Sequence, residues 1–250
     1  MLISRSLRFS RPRMLSLLDE LALIEDRAIS LYLPRGTPPA RIENSLDKVF
    51  ATADMPSGMA ELINGSETGA VLFWGPPRKY LILPPFPIGE EYIADGYNTG
   101  PLRSLLSCYF LIALVLVRLG AYSIGICQGT KLLDSKTGTG LVHARHKKGG
   151  SSQARFARHR EKQIEYFLDR VCGHVREYIE LQARSFDYLV YGGARTTIMA
   201  LSKRCSFLSQ FDDRILRMLL DIPEPRKAVL EKALTDIWLT NVIEWREANL

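Results

Sequence analysis

The residues with the clearest capacity for chemistry lie in one short segment, Lys147-Lys148-Gly149-Gly150-Ser151-Ser152-Gln153. Two adjacent glycines allow the backbone to reach positive φ and to approach a ligand closely. Cations on both sides and the start of a predicted helix favour an anion such as a phosphate. The segment has neither the GxxxxGK(S/T) spacing of a nucleotide-binding loop nor the GxGxxG spacing of a dinucleotide site. From its residues alone, it is either a phosphate-contacting loop or a flexible basic surface turn.

The positive charge of the chain is concentrated around this segment. The net charge is +6, and 46% of the 250 residues are apolar, which is ordinary globular usage and argues against wholesale disorder. The stretch from Arg145 to Lys162 contains a single acid, Glu161, and seven basic residues, namely Arg145, Lys147, Lys148, Arg155, Arg158, Arg160 and Lys162. The net charge of the rest of the chain is therefore zero. A polyanionic partner would bind at this stretch.

The elements that must position this segment are three strands before it and a helix after it. Apolar runs with short turns predict the strands Tyr109–Val117, Gly120–Gln128 and Thr139–His146. A long helix is predicted from about Ala154, because apolar residues recur there in steps of three and four. Further predicted elements are a strand at Asp187–Tyr191 and helices at Thr196–Ser202, Asp212–Leu220 and Pro225–Trp245.

The first hundred residues predict a smaller α/β domain. Its predicted elements are helices at Met14–Leu23 and Arg41–Ala53 and strands at Ala28–Leu33, Ala70–Trp74 and Lys79–Leu83. A linker at Tyr97–Pro101 then divides the chain into domains 1–100 and 101–250. The predicted fold class is α/β, with a mixed sheet covered by helices following the small N-terminal α/β domain.

The cysteines, the histidines and the hydropathy pattern indicate the compartment of the protein and whether it binds a metal or spans a membrane. Four dispersed cysteines without a CxxC pair predict free thiols, no disulfide scaffold and a reducing compartment, for which we expect the cytoplasm. His143 and His146 lack neighbouring ligands, so no metal site is expected. The apolar run from Cys108 to Val117 is too short for a membrane span.

The order of residues after the glycines resembles a known family. The segment from Gly149 to Lys162, with Arg155-Phe156-Ala157-Arg158 at its centre, is similar to the loop and helix of eukaryotic and archaeal class I peptide release factors. In that family a Gly-Gly-Gln loop precedes such a helix. The strand ending in Gln128-Gly129 and the strand ending at Gly193 also resemble it. The resemblance spans residues 105–245 and implies the central, catalytic domain of that family.

One departure from the family pattern favours a particular branch. The glutamine position of the termination factors falls on Ser151, and Gln153 follows two residues later. This Gly-x-Ser-Gln order is similar to the Vms-type branch, the peptidyl-tRNA hydrolases of ribosome quality control and their bacterial relatives. Ser30–Pro34 and Tyr80–Pro84 resemble the leading domain of bacterial release-factor-like proteins, and no stop-codon-reading motif of the Asn-Ile-Lys-Ser type is present. The resemblance therefore favours rescue of stalled ribosomes over codon-dependent termination.

The resemblance implies hydrolysis of the ester that joins a nascent peptide to tRNA. Gln153 would be catalytic, and Gly149 and Gly150 would give the loop its conformation. The side chains expected to contact rRNA or tRNA phosphates are Arg145, Lys147, Lys148, Arg155, Arg158 and Arg160. The implied partners are the large ribosomal subunit and peptidyl-tRNA, with no cofactor, metal or membrane, and the protein would be a monomer off the ribosome.

Other interpretations of the same residues remain. The protein could be a nuclease that shortens the tRNA 3′ end, a non-catalytic ribosome-binding or RNA-binding module, or a phosphate-binding enzyme. The pair Glu161 and Glu165 is more typical of a solvated helix face than of acid–base catalysis. Cys205, beside Lys203 and Arg204, lacks a partner histidine. Phe156 is expected to pack against the helix interface rather than to stack on a base.

Overall fold

The computed structural model describes residues 2–25, 27–50, 55–76, 78–143 and 152–247. The chain forms two compact units. The first comprises Met1–Cys108 together with Ile237–Leu250, and the second comprises Tyr109–Asp236. The predicted division after residue 100 differs from these units in two places. The helix at Gly100–Ser107 belongs to the first unit, and the last residues of the chain return to that unit.

The first unit is built on a six-stranded antiparallel sheet. Its strands are β1 (Leu2–Phe9), β2 (Ile29–Leu33), β3 (Ala70–Trp74), β4 (Lys79–Leu83), β5 (Tyr92–Asp95) and the last strand of the chain, β11 (Thr240–Glu247). The order across the sheet is β1-β11-β4-β3-β2-β5. The C-terminal strand therefore lies between β1 and β4, and it is antiparallel to both.

Helices cover both faces of this sheet. They are α1 (Arg11–Ala22), α2 (Pro39–Phe50), α3 (Met59–Asn64) and α4 (Gly100–Ser107). Met14 and Leu18 of α1 join Leu102 of α4 in one core, whereas Leu46 of α2 and Met59 of α3 lie in the other. Because both faces are buried, the central strands consist almost entirely of apolar residues, as β3 illustrates.

The second unit contains a mixed five-stranded sheet, which confirms the predicted fold class. Its strands are β6 (Leu111–Arg118), β7 (Ala121–Gln128), β8 (Lys131–Thr139), β9 (Tyr188–Gly193) and β10 (Ile215–Leu220), in the order β10-β9-β6-β7-β8. β6, β7 and β8 form an antiparallel meander, whereas β9 is parallel to β6 and β10 is parallel to β9. The helices are α5 (Ser152–Ile179), α6 (Arg195–Arg204) and α7 (Lys227–Ile237).

The long helix α5 packs on one face of this sheet. Phe167, Val171 and Val175 recur at helical spacing and are buried in the same core as Val115 and Tyr122 of the strands. On α7, Leu230 is fully buried, and its methyl groups lie 3.1 Å from the position that a Cβ would take at Gly125 of β7. Both α5 and α7 thus pack on this sheet.

Close backbone packing at the end of β9 requires glycine. Gly193 has a φ of 118°, and a Cβ at this position would lie 2.0 Å from the carbonyl oxygen of Val117 on β6. Such a φ is rarely adopted by residues with a side chain. The Gly192-Gly193 pair therefore lets β9 pair with β6 along its whole length and turn at once into α6.

Three predicted elements are wrong. The segment Asp212–Leu220 contains strand β10 rather than a helix, and the predicted C-terminal helix ends at Ile237, before β11. The third strand of the meander is Lys131–Thr139; of the predicted strand Thr139–His146, residues 140–143 form no strand and residues 144–146 lie outside the described residues. β10 and β11 are apolar on consecutive positions, and such runs do not distinguish a buried strand from a helix.

The expectation that all four cysteines are free is wrong for two of them. Cys172 on α5 and Cys205, directly after α6, form a disulfide across a sequence separation of 33 residues. They meet because α5 and α6 pack side by side. Cys108 is exposed and free, whereas Cys127 is buried and free.

Thiol counting tests this pairing. Burial raises the pKa of the Cys127 thiol to about 12, so it should not be alkylated at pH 8 in the folded protein. We expect one alkylated cysteine in the native protein, Cys108, two in denaturant without reductant, and four after reduction, each counted by mass spectrometry. In the chain-entropy treatment, a disulfide closing a loop of this length stabilises the fold by roughly 3 to 4 kcal/mol. Four reactive thiols in denaturant without reductant would contradict the pairing.

Candidate functional site

The structure describes only part of the predicted site. Arg145, Lys147, Lys148, Gly149 and Gly150 lie outside the described residues. The backbone of Gln153 lies in the first turn of α5, and its side chain is likewise outside the description. Arg155, Arg158 and Arg160 are described on the following turns of the same helix, which brings these three cations to one end of the second unit.

The start of α5 at Ser152 gives this end of the unit a positive electrostatic character. The first N–H groups of a helix have no partner within the helix, and the helix dipole adds partial positive charge there. The first turn contains no acidic residue. Arg155 and Arg158 are exposed, and neither forms an ion pair within the described part of the chain. An anionic ligand is therefore favoured beside Gln153.

The backbone before the loop passes close to α5 at Gly140. The amide of Gly140 donates a hydrogen bond of 2.9 Å to the carbonyl of Gly120. A Cβ at Gly140 would lie 2.6 Å from Cδ2 of Phe167, so the absence of a side chain lets the backbone pass directly over α5. Val142 then packs against the core of the unit.

His143, the last described residue before the loop, is held to α5 by two hydrogen bonds. Its amide donates to Oε1 of Gln163 over 3.1 Å, and its carbonyl accepts from Nε of Arg160 over 2.9 Å. Its ring also stacks on that of His159, with 6.3 Å between the centroids. These contacts, which we name the stem clamp, hold the last described residue before the loop against α5, the helix that follows the loop.

The stem clamp gives Arg160 a role that the sequence did not predict. This side chain was expected to contact phosphate, but its Nε is engaged by the carbonyl of His143. Gln163 was not singled out at all. A glutamine and an arginine separated by three residues on one helix lie on neighbouring turns, and both can bond to a passing backbone. No sequence signal identifies His143 as the backbone that they hold.

Replacing Gln163 with alanine tests the stem clamp directly. The His143 amide should then exchange with solvent about fivefold faster or more, because a net hydrogen bond contributes roughly 1 kcal/mol. Hydrogen exchange followed by NMR or mass spectrometry measures this change. The matched control is Gln182→Ala, which removes an exposed glutamine after the end of α5. Equal exchange in both variants would show that the clamp does not hold the stem.

The other catalytic candidates have different surroundings. Glu165 lies 3.7 Å from Nη1 of Arg204, so it belongs to an ion pair between α5 and α6. Cys205 is bonded to Cys172 and offers no thiolate. Within residues 2–143 and 152–247, apart from their short gaps, no group of histidines, cysteines and carboxylates is arranged to hold a metal ion. No helix in the described part has an apolar stretch of 18 residues suited to spanning a membrane.

Comparison of the sequence with known proteins identifies a family. Residues 111–243 match the sequence model of the Actinobacteria/chloroflexi VLRF1 release factor. The chain is similar to peptide chain release factor subunit 1 of Aeropyrum pernix, with 26% identity over 168 residues covering 57% of this chain and 45% of the relative. The same factor of Thermococcus sibiricus is 26% identical over 187 residues, covering 62% of this chain and 45% of the relative. The chain thus spans less than half the length of these curated relatives.

Solved structures give more distant similarities. The archaeal translation termination factor aRF1 has a TM-score of 0.41 and 17% identity, covering 92% of this chain and 73% of that structure. Dom34 of S. cerevisiae, described as a translation termination-like factor, has a TM-score of 0.30 and 7% identity, covering 93% of this chain and 64% of that structure. Because the matched residues 111–243 are more than half of the chain, the protein belongs to the VLRF1 release factor family, within the class I release-factor-like superfamily.

Proposed function

We propose that this protein is a peptidyl-tRNA hydrolase that frees nascent chains from stalled ribosomes or large subunits. The observation that carries the proposal is the segment Gly149-Gly150-Ser151-Ser152-Gln153, which leads into the basic helix of a release-factor family member. The stem clamp supports it, because a loop that works by positioning a reactant needs a fixed base. The absence of a recognisable stop-codon-reading motif supports rescue rather than termination.

The proposed reaction requires a positioned water and stabilisation of the oxyanion that forms at the ester carbonyl. Orientation of reactants contributes on the order of 7 to 11 kcal/mol to such reactions. The Gln153 amide offers both donors and an acceptor, so it can orient the water and donate to the oxyanion without titrating. Gly149 and Gly150 would let the loop enter a narrow RNA-walled centre that side chains would obstruct.

The cations around the loop would hold the protein on the large subunit. Arg145, Lys147 and Lys148 before the loop and Arg155 and Arg158 after it would contact rRNA or tRNA phosphates. Arg160 would contribute through the donors that the stem clamp leaves free, since a guanidinium carries five N–H groups. Such binding weakens steeply with salt. In this proposal the protein acts in the cytoplasm as a monomer until it binds the subunit, and its chemistry uses protein and RNA groups.

Product analysis tests the proposal. Purified protein is incubated with large subunits that carry peptidyl-tRNA labelled on both the peptide and the tRNA 3′ end. We expect free peptide together with an intact deacylated tRNA, because the ester is the bond broken. A tRNA with a shortened 3′ end would support nuclease activity instead. Binding to the subunit without any product would support a non-catalytic module.

A further inference from the structure

The outward face of α5 carries a line of four side chains, of which the proposed hydrolysis uses only the first, Arg155. Arg155, Lys162, Tyr166 and Arg170 follow one another at intervals of seven, four and four residues, which places them along one side of a helix. All four are exposed, whereas Phe167, Val171 and Val175 of the same helix are buried against the sheet. With a rise of about 1.5 Å per residue, the line is roughly 22 Å long. We name these four residues the α5 line.

Two of the four acids of α5 pair with α6 rather than with this line. Glu165 and Asp169 face α6, where Arg204 binds both. Nη2 of Arg204 donates to Oδ2 of Asp169 over 2.9 Å, and this hydrogen bond lowers the pKa of the Asp169 carboxyl. By contrast, Lys162 and Arg170 form no ion pair within the described residues. These two carboxylates are thus satisfied along one edge of the helix, Glu177 is hydrogen-bonded to His174, and the α5 line keeps its three cations.

Tyr166 gives the α5 line a second chemistry. Its side chain is 75% exposed, with Lys162 one turn before it and Arg170 one turn after it. An exposed aromatic ring between two cations matches an unpaired nucleotide, whose base stacks on the ring while its phosphates meet the cations. An RNA duplex keeps its bases stacked inside and offers mainly phosphates and riboses to such a surface. The ring therefore favours a single strand over a duplex.

We infer that the α5 line binds an unpaired segment of ribosomal RNA, with Tyr166 stacking on a base and the three cations contacting phosphates. This inference rests on the proposed function only for the identity of the partner as the large subunit. Tyr166 is 13 residues beyond Gln153, roughly 20 Å along the helix. Beyond its unpaired 3′ end a tRNA presents a paired acceptor stem, so we assign the unpaired strand to ribosomal RNA, and the comparison with deacylated tRNA below tests this source.

Binding of a fluorescently labelled, unstructured RNA oligonucleotide to the purified protein tests the stacking contact. Tyr166→Ala should weaken binding at least about fivefold, the lower end of base–aromatic stacking, and leave the salt dependence unchanged. Tyr166→Phe should retain the affinity. The thermal midpoint should not change in either variant, because the ring is exposed. Equal affinities of Tyr166→Ala and wild type, or an equal loss on a hairpin of the same composition, would overturn the inference.

The phosphate contacts of the α5 line can be recognised by the salt dependence of RNA binding. Arg170→Ala should reduce the slope of log affinity against log salt by about 0.7, the value for one phosphate contact on a single strand. The matched control is Lys227→Ala, which removes an exposed cation at the start of α7. An equal reduction in slope with Lys227→Ala would mean that only overall charge matters, and the α5 line would then not be the binding surface.

Two further experiments identify the RNA and distinguish failure of the proposed hydrolase function from failure of the α5 line. Tyr166→Ala should weaken binding to large subunits but not to deacylated tRNA, and the reverse pattern would overturn the assignment to ribosomal RNA. Gln153→Ala should bind the oligonucleotide as wild type does. If Gln153→Ala still releases peptide, the proposed function fails while the α5 line is unaffected. If Tyr166→Ala binds normally while Gln153→Ala abolishes release, only the α5 line fails.

Discussion

Replacing Gln153 with alanine should reduce peptide release from large subunits by about a hundredfold or more. Removing one well-aimed oxyanion donor alone costs roughly 100-fold to 1000-fold in rate, and this side chain would also orient the water. The change should leave the fold intact, because Gln153 lies in the first turn of α5 and alanine is the best helix former. The measurement is the rate at which labelled peptide is freed under single-turnover conditions.

The control for this substitution is Gln182→Ala, the same chemical change on the exposed turn Glu180–Gln182. It should release peptide at the wild-type rate. Binding to large subunits should be equal in both variants, which separates loss of catalysis from loss of docking. Gly150→Ala should also slow release, because it restricts the conformations that the loop can adopt. Normal release by Gln153→Ala would remove the catalytic role proposed for Gln153.

Gly193→Ala should strongly destabilise the second unit. The new Cβ would lie 2.0 Å from the Val117 carbonyl oxygen, and the φ of 118° would be strained for alanine. Backbone strain and overpacking together should lower the free energy of unfolding by roughly 3 kcal/mol or more. For a protein of this size the thermal midpoint should fall by roughly 6 to 12 °C. Calorimetry or circular dichroism measures the shift.

Gly173 offers a matched control for that substitution. It lies on the exposed side of α5, and no atom would come within 4 Å of an added Cβ. Gly173→Ala should therefore stabilise the protein by roughly 0.5 to 1 kcal/mol, since glycine is a poor helix former. The two glycine substitutions are thus expected to have opposite signs. A midpoint for Gly193→Ala within a degree or so of the wild-type value would show that β9 does not approach β6 this closely.

The elements that sequence patterns predicted best are those with an unambiguous period. The long helix after the loop has apolar residues every three or four positions over many turns, and α5 extends as expected. β6 and β7 consist of continuous apolar runs between short turns, and the structure places both within two residues of the prediction. β8 was misplaced because it is an edge strand in which every residue is at least partly exposed, so its sequence carries little pattern.

The last strand shows why tertiary context decides some segments. In β11, Val242, Ile243, Glu244 and Trp245 are all buried, because strands flank β11 on both sides and helices cover both faces of the sheet. A strand in that position shows no alternation of polar and apolar residues. Its buried carboxylate, Glu244, lies near Arg246 of the same strand and near Tyr80 and Arg78, which adjoin it only after the sheet has formed.

The residue types of the candidate site stay a prediction from the sequence, whereas the contacts that support it came from the structure. The glycines, Gln153 and the surrounding cations stand out in the sequence because their chemistry is explicit. The stem clamp does not, because it joins Gln163 and Arg160 to the backbone of His143, and a backbone group has no sequence signature. Phe156 was expected to pack inside, but its side chain is 54% exposed. The spacing of Lys162, Tyr166 and Arg170, by contrast, is a simple helical repeat that is visible in the sequence.

The position of β11 between β1 and β4 has a consequence for biosynthesis. Proteins are made from the N-terminus at about 5 to 20 residues per second, and their units generally fold as they emerge. The sheet of the first unit lacks an interior strand until Thr240–Glu247 has been made, although the rest of that unit is synthesised first. The second unit, by contrast, has every strand that its described residues form once Leu220 is made. The order in which the two units complete their sheets is therefore the reverse of the order in which their synthesis begins.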